Sequence, residues 1–374
     1  MTDFATRLVQ FDASPNDRYR PSSSPIYQTS TFRLPGPLDY TRSGNPTRSL
    51  LETQLARLEG GACGLAFSSG MAAITAVCDL LASGDGLLAS EDLYGGSHRL
   101  LSQLLTRRGV TVDFVDTSDL EAVAALLGEH HRLVLVETPS NPFQRISDLA
   151  ALANLAHDVN AWLAVDNSFL SPYLQNPLAL GADLVIQSGT KFLCGHSNVT
   201  AGGVVSRTAE LGEKLAFIQN AIGNGLSPFE SWLLLDGMKT LALRLDRQQE
   251  SARWLASWLQ RQPAVRRVYY PDLPEHPGRE LHRRQARGSG AVISFELDSA
   301  ARAQGVLDRT RRFACTVSFG AVHSSLEQPA LMSHASVPEE ASIRRLLTPR
   351  LLRMSVGIES LADLQEDLTR ALRA

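Results

Sequence analysis

AWLAVDNSFLSPYLQNPLALGADLVIQSGTK, residues 161–191, contains two short runs, AWLAV and ADLVI, that are almost wholly apolar and end in polar side chains. Runs this short and without alternation read as strands buried on both faces, as in a parallel sheet covered by helices. Right-handed crossovers leave the carboxyl ends of parallel strands on one edge, where ligands bind. The first strand therefore delivers Asp166 to that edge, and the second delivers Ser188, Thr190 and Lys191. A carboxylate, two hydroxyls and an amine converge on one crevice.

The alternation extends outward from about residue 47 to 205. Strand GLAFSS (64–69) delivers Ser69, Gly70 and Met71 immediately before a helix, LLASEDLY (87–94) delivers Tyr94, and LVLVETPSN (133–141) delivers Asn141. Backbone N–H groups at a helix start, with a glycine permitting close approach, suit a phosphate. Helix PTRSLLETQLARLEGG is closed by Gly60–Gly61. Downstream, one long helical stretch from Pro228 to Gln262 leads into strands VRRVYY, GAVISFEL, ACTVSF and LLRMSVGI, with helices AARAQGVLDRTRR and SLADLQEDLTRALR. These read as a smaller α+β domain. Upstream, prolines 15, 21, 25, 35, 37 and 46 interrupt any periodicity, so residues 1–46 read as an arm packed on something else. The expected division is an arm over 1–46, an α/β domain over 47–236 and an α+β domain over 237–374.

Composition narrows the class. The 374 residues are 44% hydrophobic and 20% charged with net charge −3, which excludes a disordered chain and gives no basic excess for nucleic acid or anionic membrane. Apolar runs are too short to span a bilayer, and MTDFATRLVQFDAS lacks the apolar core of a secretory signal. Cys63, Cys78, Cys194 and Cys315 are far apart, so neither a disulfide framework nor a metal site is expected, and a reducing, cytoplasmic setting fits. Lysine occurs only at Lys191, Lys214 and Lys239 among 36 basic residues.

Each edge residue alone has an ordinary reading. A strand-end aspartate often caps a turn, Ser-x-Thr makes local bonds, and a lone lysine is usually solvated. Together, in a chain that avoids lysine, they fit pyridoxal 5′-phosphate. That cofactor needs a lysine for its Schiff base, a carboxylate to keep the pyridine nitrogen protonated, a phosphate cradle and a stacked ring. A nucleotide-binding reading of Ser69–Gly70 lacks both glycine-rich phosphate motifs.

The segments YTRSGNPT (40–47), SSGM (68–71), DLYGGS (92–97), ETPSNP (137–142), VDNSFLSP (165–172), SGTKFLCGHSN (188–198) and LRMSVGIE (352–359) resemble the Cys/Met-metabolism family of pyridoxal-phosphate enzymes, from about residue 8 to the C-terminus. LPEHPG (273–278), SFG (318–320) and MSHASVP (332–338) look most like its plant-type β-cleaving branch. The resemblance implies the fold type I transferase architecture, a mostly parallel sheet with helices on both faces. It implies that Lys191 forms the Schiff base and moves protons, that Asp166 pairs with the pyridine nitrogen, and that Tyr94 stacks on the ring with a catalytic part. Gly70, Met71, Ser188 and Thr190 would hold the phosphate, helped by Tyr40 and Arg42 from a neighbouring subunit's arm. Arg353, with Asn141 and Ser318, would bind the substrate α-carboxylate. A homo-oligomer, at least a dimer and by resemblance a tetramer, follows from that arm.

The implied reaction is carbon–sulfur β-elimination of cystathionine to homocysteine, pyruvate and ammonia. Within the family the alternatives are γ-synthase or acylhomoserine sulfhydrylase activity and γ-lyase activity; outside it, a non-catalytic protein retaining the cofactor. γ-Acting cystathionine enzymes commonly carry glutamate where Val317 stands, and methionine γ-lyases a cysteine where Gly96 stands, so both positions favour β-elimination. Asn198, Gly189 and Ala321 depart from the usual family residues, and His323 reads equally as a substrate contact or as a solvent-facing rim residue.

Overall fold

The computed structural model describes residues 2–11, 18–335 and 342–373; Ser336, Val337 and Pro338 of the MSHASVP segment lie outside the described residues. Seven strands make the larger sheet: β1 (Cys63–Phe67), β2 (Gly86–Ser90), β3 (Thr111–Val115), β4 (His131–Glu137), β5 (Trp162–Asp166), β6 (Leu184–Ser188) and β7 (Gly202–Ser206), in the order β1-β7-β6-β5-β4-β2-β3. The run from β6 to β3 is parallel. Its apolar strands are buried on both faces: Leu163 and Val165 of β5 enter one core and Ala164 the opposite one.

The sheet is mostly parallel, as expected; the exception is β7, a strand the sequence reading did not mark, which is antiparallel to both β1 and β6. Residues 189–201, which open in a short π-helical turn bent at Lys191, fold the chain back instead of carrying it over the sheet through a crossover helix. Gly202 and Gly203 hide this strand from a propensity reading. Glycine is nevertheless required there, because a Cβ on Gly202 would lie 2.2 Å from the Ser69 carbonyl oxygen. The close approach sets the start of the helix Gly70–Cys78, whose N-cap Ser69 accepts the Ala72 N–H at 3.0 Å. The helix Pro46–Glu59 ends as expected at Gly60, in the left-handed conformation.

A five-stranded sheet follows, with β8 (Val265–Tyr269), β9 (Val292–Leu297), β10 (Ala314–Cys315), β11 (Ser325–Glu327) and β12 (Leu351–Ser355) in the order β10-β11-β12-β9-β8. Two expectations are corrected here. Only the first two residues of ACTVSF pair as a strand; the chain then leaves the sheet and reaches Ser318, which has φ +88°. The long helix over 228–262 is two helices, Pro228–Met238 and Leu241–Leu259. The first ends where Gly237 packs against Cys194, at a position where a Cβ would lie 2.4 Å from the Cys194 carbonyl oxygen. The start of the arm packs on the rest of the chain. It forms the helix Phe4–Val9, which buries Phe4 and Leu8 in the chain's own core.

Arg244 links the second of those helices to the turn carrying Lys191. Its guanidinium donates to the carbonyls of Phe192 at 2.8 Å, Leu193 at 3.2 Å and Gly237 at 2.9 Å. Burial pushes its pKa down to about 10, so it stays charged near neutrality. Losing those donors leaves buried carbonyls unsatisfied, and Arg244→Ala is expected to lower stability by about 3 kcal/mol, read from the urea midpoint. An unchanged midpoint would contradict the clamp.

Candidate active site

The carboxyl edge of the larger sheet faces residues of the smaller one across a cavity of about 500 Å³, a size that suits a cofactor with a small substrate. Gly70, Met71, Tyr94, Asp166, Ser188, Thr190 and Lys191 line one side, and Asn141, Ser318 and Arg353 complete it. Tyr40 and Arg42 do not line it. Arg42 instead donates to the Asn220 carbonyl at 2.8 Å and lies over the Tyr40 ring, 5.4 Å from its centroid.

Lys191 stands at the bend after β6, with its Nζ 2.5 Å from Ser318 Oγ. Burial, then the positive charge of Arg353, pushes its pKa down to about 8. Asp166 accepts from the Ser168 amide at 3.0 Å and from Ser168 Oγ at 2.5 Å. Burial raises its pKa, and the Ser168 bonds and the Lys191 charge oppose the rise. A bound cation would oppose it further. The same Ser168 Oγ accepts the Ser188 N–H at 2.7 Å, tying the ends of β5 and β6 together.

Arg353 is 2% exposed, and its position is set by three acceptors. It donates to Asn141 Oδ1 at 3.0 Å and to the Ser318 carbonyl at 2.8 Å, and it pairs with Glu327 Oε1 at 3.0 Å. The left-handed backbone of Ser318, uncommon for a non-glycine residue, aims its carbonyl at Arg353 and its hydroxyl at Lys191. Thr190 Oγ1 accepts the Ala201 N–H at 3.0 Å, so its hydroxyl is partly engaged in shaping the bend.

Four further residues escape sequence reading. Glu137 lines the cavity beside Asp166, its register partner on β4, and accepts the Tyr94 N–H at 3.0 Å. Burial, then the Asp166 charge, raises its pKa well above the ordinary carboxylate range. Its position at the end of RLVLVE, one strand over from Asp166, was the available signal. Ser168, Arg99 and Glu327 had none, because their roles depend on tertiary neighbours. His323 and Asn198 line an adjoining pocket rather than the cavity. Among the described residues Asp113, His130 and His131 lie close enough to share a metal ion. However, His131 Nδ1 accepts the Gly128 N–H at 3.0 Å, so Nε2 keeps the ring proton and faces Asp113 at 3.1 Å. A neutral His131 therefore offers that trio no lone pair. No helix among the described residues is long and apolar enough to cross a membrane.

These residues fit pyridoxal phosphate. The amine has a lowered pKa and a carboxylate stands beside it. The helix N-terminus meets the cavity at Gly70, where a Cβ would come within 3.0 Å of the Ser188 side chain. Fold and site together define a pyridoxal-phosphate enzyme of fold type I. Residues 5–373 match the family described as Cys/Met metabolism PLP-dependent enzyme, and the chain belongs to that family. The chloroplastic cystathionine beta-lyase of Arabidopsis thaliana is 47% identical over 374 residues, covering 99% of this chain and 80% of its own. The cystathionine gamma-lyase of Bacillus subtilis (strain 168) is 45% identical over 94% of each chain. Among solved structures, cystathionine gamma synthase from Xanthomonas oryzae pv. oryzae in complex with cystathionine has TM-score 0.97 at 43% identity, covering 100% of this chain and 98% of that one.

Two outcomes test the site. Gly70→Ala is expected to weaken pyridoxal-phosphate binding about tenfold or more by crowding the cradle, read by absorbance titration; unchanged affinity would contradict it. The sign for Lys191 follows from its depressed pKa. Only the neutral amine condenses with an aldehyde, and the neutral fraction passes one half near pH 8. Capture of pyridoxal phosphate by the cofactor-free protein should therefore accelerate with rising pH, with a midpoint near pH 8, and level off above it in stopped-flow absorbance. A midpoint near 10.5, the ordinary lysine value, would show an exposed amine.

Proposed function

We propose that the protein catalyses β-elimination of cystathionine, releasing homocysteine, pyruvate and ammonia. The observation that carries this reading is Ser318 joining Lys191 to Arg353. An amino acid anchored at Arg353 by its carboxylate presents its α-carbon to the amine that Ser318 holds. Arginine suits that anchor because its fork binds both carboxylate oxygens. Arg99, on the same cavity wall, supplies a cation for the second carboxylate of cystathionine.

Asp166 would hold the pyridine nitrogen, Tyr94 the ring face, and the Gly70–Met71 amides with Ser188 and Thr190 the phosphate. Pyridoxal phosphate, when bound, supplies the electron sink for negative charge at the α-carbon. Lys191 takes the α-proton, a task that requires its neutral form and that its lowered pKa favours. Ser318 Oγ steadies Nζ for that transfer. Burial and the Asp166 charge raise the Glu137 pKa, which disfavours a second negative charge beside Asp166, and Glu137 holds Tyr94 by the backbone.

Val317, on the cavity wall, supports β- over γ-cleavage, since γ-acting cystathionine enzymes commonly place glutamate there. γ-Cleavage also requires proton movement at the β-carbon. The test is the purified holoenzyme on cystathionine, with keto acids separated. Pyruvate is the expected product. Predominant 2-oxobutyrate would replace the reading with γ-cleavage, and turnover only with an activated homoserine plus a thiol would replace it with γ-synthesis.

The proposal includes a dimer at least, in which each arm completes the other subunit's phosphate site. Tyr40 and Arg42 lie outside their own chain's cavity, on an arm segment that also exposes Tyr27 and Leu34. Mixing Lys191→Ala subunits with Arg42→Ala subunits should restore about a quarter of wild-type activity, because half the dimers formed carry one intact site. No recovery after subunit exchange would contradict the shared site.

A further inference from the structure

We propose that Glu327, Ser333 and His334 form a positioning clamp that fixes Arg353 and Asn141 for the substrate carboxylate and so sets substrate affinity. The proposal rests on the reading of Arg353 as the carboxylate anchor.

Glu327 ends β11 directly opposite Arg353 on β12, and the pair is 1% and 2% exposed. Glu327 is not among the residues lining the cavity, so it stands behind the guanidinium. From Glu327 the contacts run in a closed ring. Ser333 Oγ donates to Glu327 Oε1 at 2.5 Å and lies 2.9 Å from His334 Nδ1. His334 Nε2 lies 3.0 Å from the Asn141 carbonyl, and Asn141 Oδ1 accepts from Arg353 Nη1 at 3.0 Å. Arg353 closes the ring on Glu327.

Each link constrains the next. His334 is 1% exposed, and burial, with the Arg353 charge, pushes its pKa down to about 3. The neutral ring has one N–H, which Nε2 donates to the Asn141 carbonyl, leaving Nδ1 as an acceptor. Ser333 Oγ thus stands within hydrogen-bond distance of both acceptors, and its removal takes a partner from each. The turn is itself wedged in place: a Cβ on Gly95, next to Tyr94, would lie 2.6 Å from the Ser333 carbonyl oxygen. The second Glu327 oxygen is buried without a hydrogen-bond partner among the described residues. Such a carboxylate is costly unless a nearby cation compensates it, and Arg353 does. Sheet register thus holds one end of the guanidinium and the 332–335 turn, acting through Asn141, holds the other. The chemical step uses Lys191, to which none of the three donates or accepts a hydrogen bond; Ser333 lines the same cavity, and the Glu327 charge opposes the fall in the Lys191 pKa.

The experiment compares holoenzymes of wild type, Ser333→Ala, Ser333→Thr, Glu327→Gln and Arg353→Lys. Glycine and methylamine, which differ by the carboxylate, are titrated against the visible cofactor band, and KM and kcat are measured with cystathionine. Ser333→Ala and Glu327→Gln should weaken glycine binding and raise KM by about 5- to 20-fold, the worth of a lost positioning bond. In Ser333→Ala, methylamine affinity, kcat and cofactor content should stay within about twofold, and Ser333→Thr, which restores the hydroxyl, should recover glycine affinity. Equal weakening of glycine and methylamine, or a fall in kcat at constant KM, overturns the clamp. So does unchanged glycine affinity in Ser333→Ala while Arg353→Lys loses it. Unchanged glycine affinity in Arg353→Lys instead overturns the carboxylate reading on which the clamp stands.

Discussion

Asp166 and Lys191 share a cavity because β5 and β6 are parallel neighbours, so their carboxyl ends emerge on the same edge. Much else in the structure accommodates that alignment. The chain bends at Lys191 and returns as β7, antiparallel, because the bend serves the site instead of a crossover. Gly202 is needed so that β7 can pass under the Ser69 carbonyl, and Gly237 and Arg244 press the other side of the bend. Ser168 then joins Asp166 to Ser188, so the strand ends cannot separate without breaking hydrogen bonds at both.

Charge inside the cavity is balanced by burial and pairing. Arg353 is paired with Glu327 and lowers the pKa of Lys191, while burial lowers it more. Glu137 and Asp166 sit side by side; burial raises both pKa values, and the Asp166 charge adds to the rise at Glu137 while the Ser168 bonds and the Lys191 charge oppose it at Asp166. The site therefore presents a carboxylate that a bound cation would favour in its charged form and an amine whose pKa is lowered. Both are conditions that a carbanion-forming cofactor requires.

The parallel core was legible because residues such as Val134, Val165 and Ile186 recur in short runs with no polar alternation. The site was legible because strand ends gather residues far apart in sequence. What escaped depends on contacts that a sequence does not display. β7 is rich in glycine, so its membership in the sheet follows from the close approach of Ser69 and not from propensity. ACTVSF has strand composition throughout, yet Ser318 leaves the sheet to meet Lys191 and Arg353. The stretch from 228 to 262 is helical almost everywhere, and only the packing of Gly237 on Cys194 shows where it breaks. The proline-rich arm reads as packed on something else without showing what, and Phe4 and Leu8 anchor its start in the chain's own core. Glu327 is one acidic residue among many until β11 pairs with β12 and brings it against Arg353.

The central claim is that one particular amine holds the cofactor. With only three lysines in the chain, borohydride reduction of the holoenzyme followed by peptide mass mapping decides it directly. The account predicts a single pyridoxyl label, on the peptide containing Lys191. A label on Lys214 or Lys239, or reduction that leaves Lys191 unmodified, would contradict it.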